Sequence, residues 1–415
     1  MNQIAESYVK LALAVGKHDG DYVDAYYGPA EWKAQADSTT VPLPEIEQRA
    51  NALITQLGTP IIAQIGDGPS ADTVEITLLR LRGAYLRKQL DAMVARVKML
   101  QGTKLSFDDE ARALYDVSPP TNSEQHFQDV VMRLDKALPG SGPVPPRYVS
   151  YRNRFVIPAA KVDTAFKAAI AACKARTARH VTLPPGESFV VEYVTDKPWS
   201  GYNWYKGSYH SVIQVNTSLP IYIDRAVDLA CHEGYPGHHV YNALLEKHLV
   251  RDRGWMEFSV YPLFSPQSLI AEGSANYGID IAFPGDERTA YERTTLFPLA
   301  GLPADEADTY YRIQELVREL SYAGNEAARR YLNGEIDAAA ATEWLERYAL
   351  MSPAVAAQRV KFFDKYRSYV INYNFGQDLV REYVEREAGP NATADARWDV
   401  FSALLASPRL PSGLQ

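Results

Sequence analysis

The sequence contains little cysteine: Cys173 and Cys231 are the two cysteines in 415 residues. Two cysteines are too few for the disulfide framework of small secreted proteins, and this scarcity is typical of a reducing compartment. The chain also lacks any run of about 18 apolar residues, and its first residues, MNQIAESYVKLALAVG, lack the basic segment and apolar core of an export signal. We therefore expect a cytoplasmic protein without a membrane partner.

Positive charge is not concentrated anywhere in the chain. Lys and Arg total 43 against 51 Asp and Glu, which gives a net charge of −8. A nucleic-acid-binding surface needs clustered basic residues to neutralise phosphates, so this class of partner is not expected. The composition, 46% hydrophobic and 23% charged, is that of a globular chain long enough to bury a large core. Small or peptide-like partners fit it better, and no pattern indicates an oligomeric state.

Helical periodicity dominates the sequence. Apolar residues recur at intervals of three and four with charged residues between them in segments 70–101, 306–332 and 354–387. Each of these segments is predicted to form a long amphipathic helix. Ser106 with Asp109 three residues later predicts the capped start of a further helix over 106–115.

Two regions interrupt the helical pattern. The Pro- and Gly-rich segment 138–147 predicts a loop between helical halves. Segment 181–223 contains the alternating stretches SFVVEYV and HSVIQVNT, with Gly, Pro and Asn between them, and predicts a small antiparallel sheet. We divide the chain into an N-terminal helical half, 1–180, and a second half, 181–415, which together form one unit.

The stretch CHEGYPGHHV at 231–240 carries the strongest chemical signal. His232 and Glu233 begin as in the zinc-binding pattern H-E-x-x-H, but Pro236 stands where the second His should be. In a straight helix, His238 would point about 120° away from His232, and His239 would lie about 10.5 Å further along the axis. A straight helix therefore cannot form the site.

Pro236 and Gly237 offer a way around this obstacle. Proline lacks an N–H and clashes with the carbonyl four residues earlier, and glycine tolerates backbone angles that other residues resist. We predict that residues 234–238 depart from α-helical geometry, as a bulge or a broken turn. Such a bulge could return a later His to the face of His232.

The motif HEGYPGHH resembles the HEGxPGHH signature of a bacterial family known as domain of unknown function 885, which is grouped with gluzincin-type metallopeptidases. Three other segments are similar to that family: GYNWYKGSYHSVIQVNTSLP at 201–220, EGSANYG at 272–278 and NYNFGQDLVREYV at 372–384. The resemblance covers 200–385 strongly and the N-terminal half weakly. It implies a mainly α fold with two helical halves around a deep cleft, and the small antiparallel sheet next to the metal-binding helix.

The resemblance also implies roles for individual residues. His232, His238 and Glu272 would bind one Zn²⁺ ion, with His239 as the alternative to His238. Three protein ligands leave a position on zinc for water, which the metal acidifies. Glu233 would act as general base toward this water.

The sequence departs from the family at a few positions. Ser274 and Asn276 stand where the family commonly has Trp and Leu, and Asn374 and Phe375 lie near its usual Trp-Pro. We expect these departures to alter substrate contacts more than metal binding.

Polar residues elsewhere in these segments are candidates for assisting roles. Tyr202 and Tyr209 lie before the strand HSVIQVNT, and His210 is its first residue. Tyr209 and His210 could stabilise the oxyanion formed on attack. Arginines of the late helices, including Arg318 and Arg381, could clamp a substrate carboxylate. The candidate substrate-binding residues are Asn203, Tyr205, Tyr277, Arg312 and Gln377.

The sequence as a whole predicts a zinc-dependent hydrolase that cleaves peptide or other amide bonds, with short peptides as substrates. The alternative is a protein derived from a metallopeptidase fold that binds metal without turnover or serves as a helical interaction protein. Glu233 has no ligand role in this scheme, so its presence favours catalysis.

Overall fold

Helices make up most of the chain, as its periodicity predicts. The computed structural model describes residues 1–58, 73–197 and 199–415. In the N-terminal half the helices are α1 Asn2–Val15, α2 Ala30–Ser38, α3 Leu43–Gly58, α4 Thr73–Leu100, α5 Phe107–Tyr115, α6 Glu124–Ala137, α7 Val144–Arg152 and α8 Val162–Thr177.

The second half continues with shorter and longer helices. They are α9 Asp224–Leu229, α10 His238–Leu245, α11 Pro266–Ala282, α12 Glu287–Tyr291, α13 Phe297–Ala300, α14 Ala307–Arg318, α15 Ala323–Leu332, α16 Ala338–Tyr348, α17 Pro353–Tyr366, α18 Ile371–Ala388 and α19 Ala394–Leu405. The strands are β1 Val23–Tyr26, β2 Ser188–Val194, β3 Gly201–Gly207, β4 His210–Asn216 and β5 Val260–Pro262.

Two of the predicted helix features are confirmed. Helix α4 fills the segment predicted as 70–101, of which residues 70–72 lie outside the described chain. At the start of α5, the Ser106 hydroxyl accepts a hydrogen bond from the Asp109 N–H at 3.2 Å and donates to the Asp109 carboxylate at 2.6 Å. This reciprocal contact satisfies a backbone donor that the first helical turn leaves free.

The segment predicted as one helix over 354–387 is two helices, and a buried carboxylate explains the break. Between α17 and α18, Arg367 adopts a positive φ of 52°. Glu110 of α5, almost fully buried, accepts hydrogen bonds from the N–H and the hydroxyl of Ser368 at 3.1 and 2.7 Å and from Arg367 Nε at 2.5 Å. Because Glu110 lies far away in the sequence, apolar periodicity could not reveal this interruption.

Two further helix boundaries differ from the prediction. The segment 306–332 divides into α14 and α15, and Asn374 of α18 donates a hydrogen bond to the Ser321 carbonyl in the connecting turn at 3.0 Å. The loop predicted for 138–147 ends earlier, because α7 begins at Val144 with prolines in its first turn. Proline is tolerated there since the first backbone N–H groups of a helix have no intrahelical partner.

The sheet predicted for 181–223 is present, with strand order β2-β4-β3. The pair β3–β4 is antiparallel, from Gly201 opposite Val215, as predicted. The pair β2–β4 is parallel, from Ser188 opposite His210, so the expectation of a wholly antiparallel sheet is wrong for this pair. Strand β4 lies between the two earlier strands, and alternation along a strand carries no information about this order.

A second, two-stranded antiparallel sheet joins the two halves of the chain. Strand β1 pairs with β5 from Val23 opposite Pro262, and the register shifts between Val23 and Ala25. Asp24 therefore lies at an irregular point of the strand. Neither segment alternates clearly, so no local pattern indicates this pairing.

The hydrophobic core continues across the predicted boundary at residue 180. Buried side chains of both halves, such as Leu86 and Val227, belong to one cluster. A buried ion pair also crosses the boundary, with Arg82 Nε at 2.5 Å from Glu257 Oε1. The division at residue 180 and the deep cleft between the halves stay predictions.

Helices α11 and α18 touch backbone to backbone. A Cβ atom added to Gly273 would lie 2.4 Å from the carbonyl carbon and oxygen of Gly376, and one added to Gly376 would lie 2.9 Å from the Leu269 carbonyl oxygen. Side chains on either glycine would separate the helices, so this contact fixes their distance. None of the described helices combines the length and apolar character needed to cross a membrane.

We predict that Gly376→Ala destabilises the protein by about 1–3 kcal/mol, because an extra methyl group is forced into a closed helix contact. The free energy of unfolding in urea measures the effect. The control is Gly324→Ala in α15, where an added Cβ meets no atom within 4 Å. This variant should be neutral or slightly more stable, since alanine favours a helix. Equal stabilities of the two variants would contradict the prediction.

Candidate metal centre

The helix that carries the HEGYPGHH motif is interrupted where the sequence predicts it. Helix α9 continues into a π-helical turn over Ala230–Gly234, and α10 begins at His238. The Tyr235 N–H donates to the Ala230 carbonyl at 3.2 Å, and the Gly237 N–H donates to the Cys231 carbonyl, six residues earlier, at 2.9 Å. The Tyr235–Pro236 peptide bond is cis. The prediction that residues 234–238 depart from α geometry is confirmed.

Gly237 is the residue that allows this turn to close. A Cβ atom on Gly237 would lie 1.9 Å from the His232 carbonyl oxygen and 2.4 Å from the Cys231 carbonyl oxygen. No other residue fits so close to two carbonyl groups. The turn therefore shortens the path from His232 to His238 and places both side chains on the same side.

Three predicted side chains, His232, His238 and Glu272, meet at this turn. The Nε2 atoms of the two histidines are 3.1 Å apart, and Glu272 Oε2 from α11 lies 3.3 Å from His232 Nε2 and 3.6 Å from His238 Nε2. All three ligand atoms lie within 4.8 Å of one another. The arrangement could hold one divalent ion.

The bonding of Glu272 fits this interpretation. Its Oε1 accepts a hydrogen bond from the Tyr369 hydroxyl at 2.8 Å, whereas its Oε2, buried, has no hydrogen-bond partner within the described chain. A buried carboxylate oxygen without a partner is costly in a folded protein. A cation between this oxygen and the two imidazoles would satisfy it, and His₂Glu is a common catalytic zinc ligand set.

Electrostatics at the three side chains also favour positive charge. Burial alone would raise the pKa of Glu272, but the nearby imidazoles of His232 and His238 hold it far below its usual value. Burial would lower the pKa of His238, but the nearby carboxylate of Glu272 outweighs this effect and raises the pKa to about 9. The site thus stabilises positive charge between the carboxylate and the imidazoles.

Asn276, one turn after Glu272, orients the first histidine. Its Oδ1 lies 2.9 Å from His232 Nδ1, and its Nδ2 donates to the Tyr373 carbonyl at 2.8 Å. An amide oxygen only accepts, so Nδ1 carries the proton and Nε2 keeps its lone pair for a metal. Asn276, which we expected to alter substrate contacts, instead contacts a candidate metal ligand.

His239, the alternative ligand, turns to the other side of α10. Its Nδ1 lies 2.9 Å from Ser211 Oγ, and its Nε2 lies 2.9 Å from Glu187 Oε2. Both ring nitrogens are therefore engaged with the β2–β4 sheet. Lys174 Nζ and the Tyr235 hydroxyl also bind Glu187, at 2.7 and 2.6 Å. His239 anchors the helix to the sheet, and His238 is the histidine that faces His232.

Glu233 lies beside the three candidate ligands without joining them. Its side chain is almost fully buried, and its carboxylate makes no hydrogen bond to any described residue. A Cβ on Gly201 of β3 would lie 3.0 Å from Glu233 Oε1, so the absence of a side chain at Gly201 leaves room for the carboxylate. Asn203, a predicted substrate contact, donates to the Glu233 backbone carbonyl at 2.7 Å.

The candidate residues at the β3–β4 turn make their contacts elsewhere. The Tyr205 hydroxyl donates to Glu246 at 2.6 Å, and the Tyr209 N–H donates to the same carboxylate at 3.3 Å. His210 Nδ1 lies 3.0 Å from the Ser188 hydroxyl on β2. These contacts show that the turn folds back onto Glu246 and β2, and none of them is to His232, His238 or Glu272.

The remaining predicted substrate contacts are also engaged elsewhere or exposed. Tyr277 is buried with its ring 5.4 Å from that of Phe401, and Arg312 is exposed on α14. Gln377 donates to Asp280 at 2.9 Å. Asp280 also pairs with the two other arginines proposed as clamps: Arg381 at 2.8 Å and Arg318 at 3.7 Å.

Sequence reasoning missed several residues around the site. Asp24 of β1 accepts a hydrogen bond from the Tyr202 hydroxyl, and burial raises the pKa of Asp24 to about 6. Its charge interacts with His238, Glu272 and Glu233. No motif marks Asp24, because it reaches the site through the pairing of β1 with β5.

The tyrosines of α18 and the turn before it did leave a signal. Tyr369 and Tyr373 are four residues apart, which is the spacing of one helical face, and Tyr366 lies three residues before Tyr369, across the break at Arg367. The rings of Tyr369 and Tyr373 lie 5.8 Å apart. Together with the Tyr369 bond to Glu272, this spacing defines an aromatic wall of the site.

The two cysteines form a disulfide bond. Cys173 of α8 is bonded to Cys231, the residue before His232. The expectation from cysteine scarcity concerned a framework of several bonds, and it did not foresee this single link. The disulfide ties the π-helical turn to α8.

We predict that Gly237→Ala abolishes high-affinity zinc binding, because the added methyl group would separate His238 from His232. Zinc affinity is measured by competition with a chromophoric chelator, and circular dichroism checks that the helices persist. The Gly324→Ala control should bind zinc as the wild type does. Unchanged zinc affinity in Gly237→Ala would show that the closed turn does not create the site.

A second prediction concerns Asn276. Asn276→Leu removes the acceptor for His232 Nδ1 and should weaken zinc binding by about 10–100-fold, as loss of such outer contacts usually does. Ser274→Ala is the matched control on the same helix, since the Ser274 hydroxyl bonds only a backbone carbonyl at 3.2 Å. Equal zinc affinities of the two variants would remove the orienting role from Asn276.

Comparisons with known proteins identify a shared fold and no family. No protein-family model matches the chain, and no curated protein sequence matches it. A solved structure described as "the putative lipoprotein from Colwellia psychrerythraea" is 15% identical, covers 94% of this chain and 79% of its own, and superposes with a TM-score of 0.55. A second, described as "a putative lipoprotein of unknown function from Shewanella oneidensis", is 14% identical, with coverages of 92% and 74% and a TM-score of 0.43. The first likeness shows that the two proteins share a fold.

Proposed function

We propose that the protein is a zinc-dependent hydrolase that cleaves peptide or other amide bonds, with short peptides as its substrates. The observation that carries the proposal is the unbonded carboxylate of Glu233 beside the cluster of His232, His238 and Glu272. The resemblance of HEGYPGHH to the domain of unknown function 885 signature supports the same conclusion. We include membership of that family in the proposal.

The three ligand side chains fit one Zn²⁺ ion. Zinc bound by His232, His238 and Glu272 would polarise a substrate carbonyl and lower the pKa of a water molecule. Structural zinc sites usually take four protein ligands, and the cluster found in the described chain has three. The missing fourth ligand favours catalysis over the alternative of a metal-binding protein without turnover.

Glu233 moves the proton in this scheme. Its carboxylate oxygen accepts a proton from the attacking water and passes it to the amine nitrogen of the leaving group. The contact of Asn203 with the Glu233 backbone and the space above Gly201 keep this carboxylate in place and unobstructed. No other described side chain occupies the hydrogen-bonding positions of the carboxylate.

Tyr373 takes the oxyanion-stabilising role that the sequence assigned to Tyr209 and His210. Its hydroxyl makes no hydrogen bond to a described residue, and its backbone carbonyl is held by Asn276. Burial and the charge of Glu272 raise the pKa of Tyr373 well above its usual value, so the hydroxyl keeps its proton. It can therefore donate a hydrogen bond to the carbonyl oxygen as negative charge develops there.

The cysteines of the chain bear on its cellular location. The cysteine count predicts the cytoplasm, and no described helix could cross a membrane. The Cys173–Cys231 disulfide weighs against a reducing compartment, because disulfides persist mainly in oxidising ones. The cytoplasm stays a prediction that labelling of the thiols in freshly lysed cells would test.

We predict that Glu233→Gln keeps the fold and the zinc content but lowers peptide hydrolysis by about 10²–10⁴-fold, the usual contribution of a general base. Zinc is measured by atomic emission and hydrolysis with a peptide library, with and without a chelator. His232→Ala is the matched comparison and should lose zinc and activity together. A wild-type protein that holds zinc and cleaves no peptide in a broad library would reject the hydrolase proposal.

A further inference from the structure

Arg359 of α17 is a half-buried cation without an anion. Its guanidinium pairs with no carboxylate of the described chain, and its Nε atom is buried without a hydrogen-bond acceptor. Two other arginines of low exposure are paired: Arg82 with Glu257 at 2.5 Å, and Arg288 with Asp228 at 2.8 Å. Since a partly desolvated charge without a counter-ion is destabilising, Arg359 suggests a partner that binds from outside the protein.

The immediate surroundings of Arg359 are aromatic. Its guanidinium carbon lies 4.4 Å from the ring centre of Phe362 and 5.8 Å from that of Phe363. Burial lowers the pKa of Arg359, although arginine stays protonated in proteins. The side chain is only partly buried, so its terminal nitrogens can still meet a ligand.

An aromatic row connects Arg359 to the candidate metal site. Ring centres are 4.6 Å apart between Phe362 and Tyr366, 6.1 Å between Tyr366 and Tyr369, and 5.8 Å between Tyr369 and Tyr373. The Tyr369 hydroxyl, in turn, donates to Glu272. Arg359 and Glu272 therefore lie at two ends of one wall.

The charges of Arg359 and Glu272, at the two ends of this wall, both affect the pKa of Tyr373. After burial, the largest influences on the pKa of Tyr373 are the charges of Glu272, which raises it, and of Arg359, which lowers it; Glu233 raises it further. Charges that influence one phenol lie in the same region of the protein, and the aromatic row joins that region to Arg359. A ligand beside Tyr373 would meet positive charge on one side and the hydrolytic residues on the other.

We infer that Arg359 binds the free C-terminal carboxylate of a peptide whose scissile bond lies at the His232–His238–Glu272 cluster. This inference rests on the proposed hydrolase function and makes the protein an exopeptidase that removes residues from C-termini. Arginine suits the role because its planar guanidinium binds a carboxylate through two parallel hydrogen bonds. Two arginines that the sequence suggested as clamps, Arg318 and Arg381, do not suit this role, because both already pair with Asp280.

Equilibrium binding tests the inference without turnover. Pools of N-acetylated tripeptides, each prepared as the free acid and as the C-terminal amide, are titrated into zinc-loaded Glu233→Gln protein. The acids should bind at least about 10-fold more tightly than the amides, as expected for hydrogen bonds to a charged group. Adding Arg359→Gln should remove this difference, whereas Arg312→Gln, an exposed arginine of α14, should preserve it.

Kinetics and stability complete the test. In the otherwise wild-type protein, Arg359→Gln should raise KM for the acids more than it lowers kcat, with unchanged zinc content. Its melting temperature should not fall, because no ion pair of the described chain is lost. Equal binding of acids and amides, or an acid preference that survives Arg359→Gln, would overturn the inference.

Failure of the two proposals would be distinguishable. If hydrolysis depends on Glu233 but acids and amides are cleaved equally, the hydrolase stands and the carboxylate site does not. If the acid preference in binding depends on Arg359 while no peptide is hydrolysed, the carboxylate site stands and the hydrolase proposal fails.

Discussion

The approach of Gly237 to the carbonyl groups of Cys231 and His232 is the constraint on which the rest of the site depends. The Gly237 N–H reaches a carbonyl six residues earlier, so the chain between them forms a wide turn instead of a regular helix. This turn cancels the rotation and rise that would separate His232 from His238 in a straight helix. The two imidazoles thereby come within 3.1 Å although six residues separate them.

The turn is held by three neighbouring elements. The disulfide joins Cys231 to α8, and the Glu187–His239 contact joins α10 to the segment just before β2. Helix α11 brings Glu272 and Asn276 to His232. Adjacent histidines can contact different elements because consecutive side chains on a helix point about 100° apart. His238 thus faces Glu272 and His239 faces Glu187.

The charges at the site are arranged at a cost to stability that a bound partner would relieve. Glu272 is buried with one oxygen unbonded, and Arg359 is half-buried without a carboxylate. Polar groups in such states cost free energy unless another molecule satisfies them. A divalent cation would satisfy the unbonded oxygen of Glu272, and a substrate carboxylate would pair with Arg359. The aromatic row of Tyr366, Tyr369 and Tyr373 lies between the two groups and keeps them apart.

The sequence by itself determined the helical character, the capped start of α5, and the break at Pro236 and Gly237. Each of these follows from local chemistry: side-chain period, a missing N–H or a missing Cβ. The resemblance of HEGYPGHH to a known signature implied His232, His238 and Glu272 as ligands, with His239 as the alternative to His238. Tertiary structure decided the parallel pairing of β2 with β4, the break between α17 and α18, and the arrival of Asp24 through β1. It also separated His239 from His238 and left Tyr209, Tyr205 and Arg312 outside the cluster. These outcomes depend on contacts between residues distant in sequence, such as Glu110 with Ser368, and a local pattern carries no record of such contacts.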